Sequence, residues 1–274
     1  MVAIQKLKVG LVAFLFLSCA GTPLVWADTE RPWKTFSIKL GGYVPLTDTN
    51  IRVDGTGGLG LGTEIDLEND LNLDEELSTY RIDAEWRFFD RHRLNFSFFD
   101  LTRDATTVIG RDITIGDNTF FLGTTINSKW EHKVYVASYT WSFLQTNKYE
   151  VGLNIGAHIT RLKLQVAGLG PLGLNVEVDA VTVPLPVLGL TGAYAFTPKL
   201  VLRSNAGVFY LKIDEYEGSL VNLDLDLEYN VWKYVGFGIG YNFFRINIDL
   251  EADKFHGSAE YTYQGFKFFL KFYL

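Results

Sequence analysis

The chain of 274 residues is 47% hydrophobic and 15% aromatic, carries a formal net charge of −7 and contains a single cysteine. The acidic balance argues against nucleic-acid binding, which needs a basic face, and one cysteine cannot form an internal disulfide. Past the N-terminus, no apolar run reaches the roughly twenty residues that a membrane-spanning helix requires.

The chain starts with Lys6 and Lys8, followed by an apolar run from Val9 to Leu17 and then Val25-Trp26-Ala27 ahead of Asp28. A cationic start, a short apolar stretch and an A-x-A-like end predict a secretory signal peptide over 1–27, leaving 28–274 as the exported domain. Cys19 falls inside that leader. Phe16-Leu17-Ser18-Cys19 resembles a lipoprotein box only weakly, so cleavage after Ala27 leaves a domain without cysteine.

Ten later segments alternate with period two, the signature of strands with two unlike faces. The first, 35–44, sets Phe36, Ile38 and Leu40 on one face. The second, 79–89, alternates Tyr80, Ile82, Ala84, Trp86 and Phe88 with Arg81, Asp83, Glu85 and Arg87. Segment 93–101 presents Leu94, Phe96 and Phe98, and 133–144 presents Tyr135, Ala137, Tyr139, Trp141 and Phe143. In 150–160, Val151, Leu153, Ile155 and Ile159 oppose Gly152, Asn154, Gly156 and His158. Segments 187–196 and 200–211 carry Leu188, Leu190, Tyr194 and Leu202, Val208, Tyr210, the latter row opposite Arg203 and Asn205. In 220–231, Val221, Leu223, Leu225 and Leu227 oppose Asn222, Asp224, Asp226 and Glu228. The ninth sets Phe237, Ile239 and Tyr241 against Gly236, Gly238 and Gly240, and the tenth sets Phe266, Phe268, Leu270, Phe272 and Leu274 against Lys267 and Lys271.

Strands that cross a bilayer need about nine to eleven residues, against about five or six in globular proteins, and these segments match the longer figure. The short connections (90–91, 145–148, 197–199, 232–234) alternate with long ones (46–77, 102–131, 161–186, 212–218, 249–260), as periplasmic turns alternate with surface loops. The expected fold is an all-β, transmembrane, antiparallel up-and-down barrel of about ten strands. Leu59 to Glu68 also alternates, and 111–125 reads as a hairpin around Asp117-Asn118. Both are expected to be strand extensions above the membrane, and counting the hairpin as spanning would give twelve.

The last residues, Gly265 to Leu274, resemble the C-terminal signal strand of bacterial outer-membrane proteins, although Leu274 stands where Phe or Trp is usual. With the leader, the whole exported chain resembles small outer-membrane barrels of the OmpA-like and OmpW-like type, and Tyr80 to Arg103, with Trp86-Arg87-Phe88-Phe89 before Asp90-Arg91-His92-Arg93-Leu94, resembles their first periplasmic hairpin. The resemblance implies residence in the outer membrane among lipid and lipopolysaccharide. It also implies recognition by the barrel assembly machinery through Phe266, Phe268, Leu270, Phe272 and Leu274.

Charge facing lipid costs a few kcal/mol, so Lys39, Arg81, Asp83, Glu85, Arg87, His158, Arg203, Asp224, Asp226, Glu228, Lys267 and Lys271 are expected to line the lumen. Two readings follow: a narrow conduit for small polar or ionic solutes, or an ion-paired plug, since about eight to ten strands leave an interior that side chains nearly fill. A rim hydrolase of the omptin or lipase kind is the third. It would use His132 or His256 with Asp100, Asp104, Asp249 or Asp253, but no spacing singles out a dyad and no serine lies in a nucleophile setting. Asp66, Glu68 and Asp70 have the first spacings of a calcium loop, but Leu71 and Leu77 stand where Gly and Glu belong, so no metal or other cofactor is expected.

Overall fold

Strands this long satisfy their backbone groups in a bilayer only by pairing edge to edge until no edge is left. The computed structural model describes residues 33–54, 62–169, 175–213, 216–252 and 255–273, so the expected leader, with Cys19, and Leu274 lie outside the described residues. The chain forms β1 (Phe36–Val53), β2 (Ile65–Asp66), β3 (Thr79–Phe89), β4 (His92–Asp100), β5 (Arg103–Val108), β6 (Ile113–Ile115), β7 (Asn118–Phe120), β8 (Thr125–Gln145), β9 (Tyr149–Leu169), β10 (Asn175–Ala195), β11 (Leu200–Ile213), β12 (Tyr216–Asn230), β13 (Val235–Ala252) and β14 (Phe255–Tyr273).

Ten staves run round the barrel in the order β1, β3, β4, β8, β9, β10, β11, β12, β13, β14, all antiparallel. β14 returns to β1 from Ser37↔Tyr273 to Val53↔Gly257 and closes the ring. β5 prolongs the line of β4 along β8. Exposed Leu40, Trp86, Phe96, Tyr135, Trp141, Leu188, Phe237 and Phe266 form the outer belt.

Above that belt the alternation changes phase, and this corrects the expected loops. On β9, Ile155 and Ile159 point out while Asn154 and His158 are buried. Past Thr160, Arg161 points out and Leu164 and Val166 are buried. β8 changes likewise, with Lys129 and Lys133 outside and Ile126, Trp130 and Val134 buried. β13 follows, Arg245 being exposed and Phe244 and Ile246 buried. Where water replaces lipid outside, polar side chains face outward and apolar ones pack inside, as in a soluble sheet. Much of 161–186, 212–218 and 249–260 is therefore wall, not loop.

The first long connection is corrected too. Residues 46–53 continue β1, and among the described residues of the rest only Ile65 and Asp66 are strand, paired with Ile51 and Asn50. The segment 62–78 turns into the barrel mouth instead of extending the wall, and 55–61 lies outside the described residues. The hairpin at Asp117-Asn118 forms, but as a separate two-stranded sheet of β6 and β7. Gly116 takes a φ of 57°, a left-handed turn that glycine adopts without strain. Ile65, Leu67, Leu71 and Leu73 of the first connection join Ile113, Ile115 and Phe120 of the hairpin and Ile126, Trp130, Leu164 and Val166 of the wall in one apolar core.

Candidate functional site

Register and parity bring the charges of separate strands together inside the belt. On β12, Asp224, Asp226 and Glu228 face inward; on β14, Lys267 and Lys271 do so. The intervening β13 contributes Gly236, Gly238 and Gly240. A Cβ at Gly240 would collide with the Asp226 carboxylate and lie 2.8 Å from Lys267 Cε, and one at Gly238 would lie 2.5 Å from the Phe269 ring. The glycine stripe is what lets charges two strands apart meet.

Lys267 Nζ lies 2.7 Å from both Asp224 and Asp226, and Lys271 Nζ lies 2.7 Å from Glu228. Lys39 reaches Asp226 and Glu228, each at 2.7 Å. Arg203 bridges Glu228 at 3.0 Å and Glu85 at 3.4 Å. Arg81 holds Asp83 at 2.9 Å and Asp224 at 3.2 Å, and Ser97 donates its hydroxyl to Asp83. Two groups that sequence reasoning passed over complete the network. Arg93 contacts Glu85 at 3.3 Å and Glu150 at 3.6 Å, and Arg87 contacts Glu150 at 2.8 Å. Parity was the available signal: Arg93 shares the face opposite Leu94 and Phe96, and Glu150 shares that of Gly152 and Asn154.

At the short-turn end, Trp33 packs with Ala193, Ala195 and Val201. Its indole N–H donates to the Thr146 carbonyl at 2.8 Å, and the Arg203 guanidinium lies 5.7 Å from its ring. Within the ionic network a cavity of about 140 Å³ remains, lined among others by Arg81, Glu85, Asn95, Asn154, Asn205 and Asp224. An aromatic layer covers it. His158 stacks on Phe244 at 5.4 Å, Phe244 stacks on Tyr263 at 4.6 Å, and Tyr43 meets Phe99 edge-on at 5.6 Å.

A single buried ion pair, Arg103 with Glu68, pins the segment 62–78 above this layer. Arg103 also donates to Thr47 and Thr49 hydroxyls at 2.8 Å and to the Asp74 carbonyl at 3.0 Å, while Glu68 accepts from the Thr49 amide at 2.9 Å. The acidic run does not converge. Asp66 accepts from the Glu68 and Asn69 amides, Glu68 faces Arg103, and Asp70 pairs with Arg111 at 2.9 Å. Among the described residues, no cluster of metal-ligating side chains occurs.

The Arg111 hydrogen bond holds the Asp70 carboxyl below its ordinary value. The tie is therefore complete above the usual carboxylate range and is lost as pH falls through the depressed value. Hydrogen exchange in 62–73 should accelerate below about pH 4 in the native chain, with no such step in Asp70→Asn.

The rim histidine is also corrected. His132 points inward, fully buried, its ring 4.6 Å from that of Tyr261, and neither ring nitrogen has a hydrogen-bond partner among the described residues. Asp100 lies on the outer face, bonded to Thr102 and 3.8 Å from Lys133. The wall separates the two. Asp253 and the His256 side chain lie outside the described residues.

An antiparallel barrel of ten staves, apolar outside through one belt and charged within it, is an integral outer-membrane β-barrel. In fold it is similar to the outer membrane protease OmpT from Escherichia coli, with a TM-score of 0.58 at 10% identity over 87% of this chain and 96% of that one. Ail, the attachment invasion locus protein of Yersinia pestis, aligns over 86% of this chain and 99% of its own with a TM-score of 0.34 at 9% identity. Neisserial surface protein A aligns over 88% and 97%, with a TM-score of 0.34 at 10% identity. No family model matches the chain, and no curated protein matches it by sequence.

Proposed function

We propose that this chain is a closed outer-membrane barrel, exported behind a cleaved leader, whose work is done at its extracellular end and not through its lumen. One observation carries the reading: each of the six interior carboxylates of the ionic network has a cation within 3.3 Å. A conduit that selects solutes needs charges free to meet them. Here the charges meet one another, Trp33 sits below them, and the aromatic layer and the segment 62–78 lie above.

The barrel then serves as a rigid, lipid-embedded mount for the wall and turns above the membrane. The outward Phe266, Phe268, Leu270 and Phe272 of β14 are the row through which the assembly machinery would recognise it. The fold it shares with a protease makes a rim hydrolase the rival. That reading would need a histidine beside a carboxylate at the open mouth; of the two candidates His132 is buried, and the His256 side chain lies outside the described residues.

Single-channel recording of the refolded barrel in a planar bilayer tests the proposal. No discrete steps are expected from the native protein. Steps whose ion selectivity changes in Asp224→Asn/Asp226→Asn/Glu228→Gln would overturn it and make the interior a charge-lined passage.

A further inference from the structure

At one seam of the wall, both strands continue while their pairing stops. β10 and β11 pair from Ala195↔Val201 up to Leu188↔Val208 and no further among the described residues. β10 nevertheless continues back to Asn175, and β11 runs on to Ile213. Each keeps its other neighbour over the same stretch, with Val187↔Gly156 and Pro184↔Ile159 on one side and Phe209↔Leu220 and Leu211↔Gly218 on the other. The strands do not end. The seam between them opens.

The sequence Val183-Pro184-Leu185-Pro186-Val187 supplies the reason. In an antiparallel strand, alternate residues turn both N–H and C=O toward the same neighbour. The Ala195 N–H points to the Lys148 carbonyl on the β9 side and the Phe196 N–H to the Leu200 carbonyl on the β11 side, so by alternation Pro184 and Pro186, in unbroken register with β9, turn their bonding edge to β11. Proline has no N–H to offer there. Continuing the ladder would oppose Pro186 to Tyr210, and that pair lacks its donor from β10. What remains along this edge is an excess of carbonyl acceptors, which also discourages an incoming strand.

Depth identifies the surroundings. Below the opening, exposed Leu188, Leu190 and Val208 belong to the lipid-facing belt. At the opening the outward rows turn polar: Ile159 is followed by Arg161 on β9, and Val221 is preceded by Ser219 on β12. Tyr210 stands at this boundary, its hydroxyl 3.1 Å from Glu217. Behind the seam, Leu185 and Val187 are buried in one apolar cluster with Leu220 and Phe244. The exposed Arg161, in register with Thr182 of β10, adds positive charge beside it.

We propose that the β10–β11 seam is a lateral binding site for an anionic glycolipid of the outer leaflet. Sugar hydroxyls donate to the carbonyls of Pro184 and Pro186, Arg161 faces the acidic groups of the head, and an acyl chain lies over Leu188, Leu190 and Val208. The site rests on the barrel's place in the membrane alone and stands whether or not the lumen conducts.

The Tyr210 amide is the reporter, followed by hydrogen exchange in the refolded full-length barrel. In lipid-free micelles it should exchange fast, and bicelles containing lipid A should slow it by about tenfold or more. Bicelles of phosphatidylethanolamine alone should leave it fast. In Pro184→Val/Pro186→Val, which restores both donors, Tyr210 should be slow without lipid and indifferent to lipid A. A native Tyr210 amide already slow in lipid-free micelles means a shut seam and overturns the proposal. So does one that stays fast with lipid A, or one protected equally by phosphatidylethanolamine. The native protein alone decides between these outcomes, even if the double variant fails to fold.

Discussion

Glu228→Leu is expected to destabilise the barrel by about 3–5 kcal/mol, the cost of removing one partner from a buried ionic network. Glu228 is the carboxylate on which Lys39 and Lys271 converge at 2.7 Å and Arg203 at 3.0 Å. Without it, Lys271 loses its ion-pair partner inside the belt, where neither water nor lipid substitutes cheaply. Lys39 keeps Asp226 and Arg203 keeps Glu85, so the damage concentrates at Lys271. Glu228→Leu/Lys271→Leu should then recover a large part of the loss, because an apolar pair of similar volume leaves no orphaned charge. Urea titration of the barrel refolded in detergent measures both. A loss below about 1 kcal/mol in the single variant, the scale of a solvated pair, would mean that water screens the network, and would favour the open-lumen reading.

Arg103→Ala is expected to release the segment 62–78 while leaving the wall folded. Besides its backbone bonds to β1 and the Asp70–Arg111 tie, the segment is held by the apolar packing of Ile65, Leu67, Leu71 and Leu73 and by the Arg103–Glu68 pair beneath them. Packing alone would hold it, at about 1.5–3 kcal/mol for each large apolar side chain buried. The substitution does more than remove a contact, however. It leaves the Glu68 carboxylate inside with only Thr49 as a hydrogen-bond partner among the described residues, a cost of about 3 kcal/mol or more that is relieved when the segment swings out. The Leu67 amide, bonded at 2.9 Å to the Thr49 carbonyl, should lose its exchange protection. Amides of β13 should keep theirs. Arg103→Ala/Glu68→Leu should restore protection of Leu67. If the single variant already leaves Leu67 protected, apolar packing holds the mouth and the ion pair is incidental.

How far the sequence could be read depended on what stands outside each strand. Within the belt one medium, lipid, faces the outer surface, so a single alternation assigns every side chain. Arg81, Asp83, Asp224 and Glu228 were placed by parity alone, and the same rule reaches Arg93 and Glu150. Above the belt the outer medium becomes water and the same period two continues with its faces exchanged. Leu162, Leu164 and Val166, read in the phase of Ile155 and Ile159, look like a break in the strand, so this part of the wall reads as loop in the sequence. Hairpin chemistry at Asp117-Asn118 was legible because it is local. Its inward fold was not, because an isolated Ile113 and Ile115 specify burial without naming a partner.

The sequence by itself determined an antiparallel barrel, its strands through the membrane and the side on which their charges lie, because these follow from the two-residue repeat and the cost of charge in lipid. Only the tertiary structure decided which charge meets which, that 62–78 folds into the mouth on Arg103, and that the seam above Leu188 and Val208 stays open. Those outcomes depend on register between strands far apart in the chain, and on whether a side chain is left with a partner once the ring has closed.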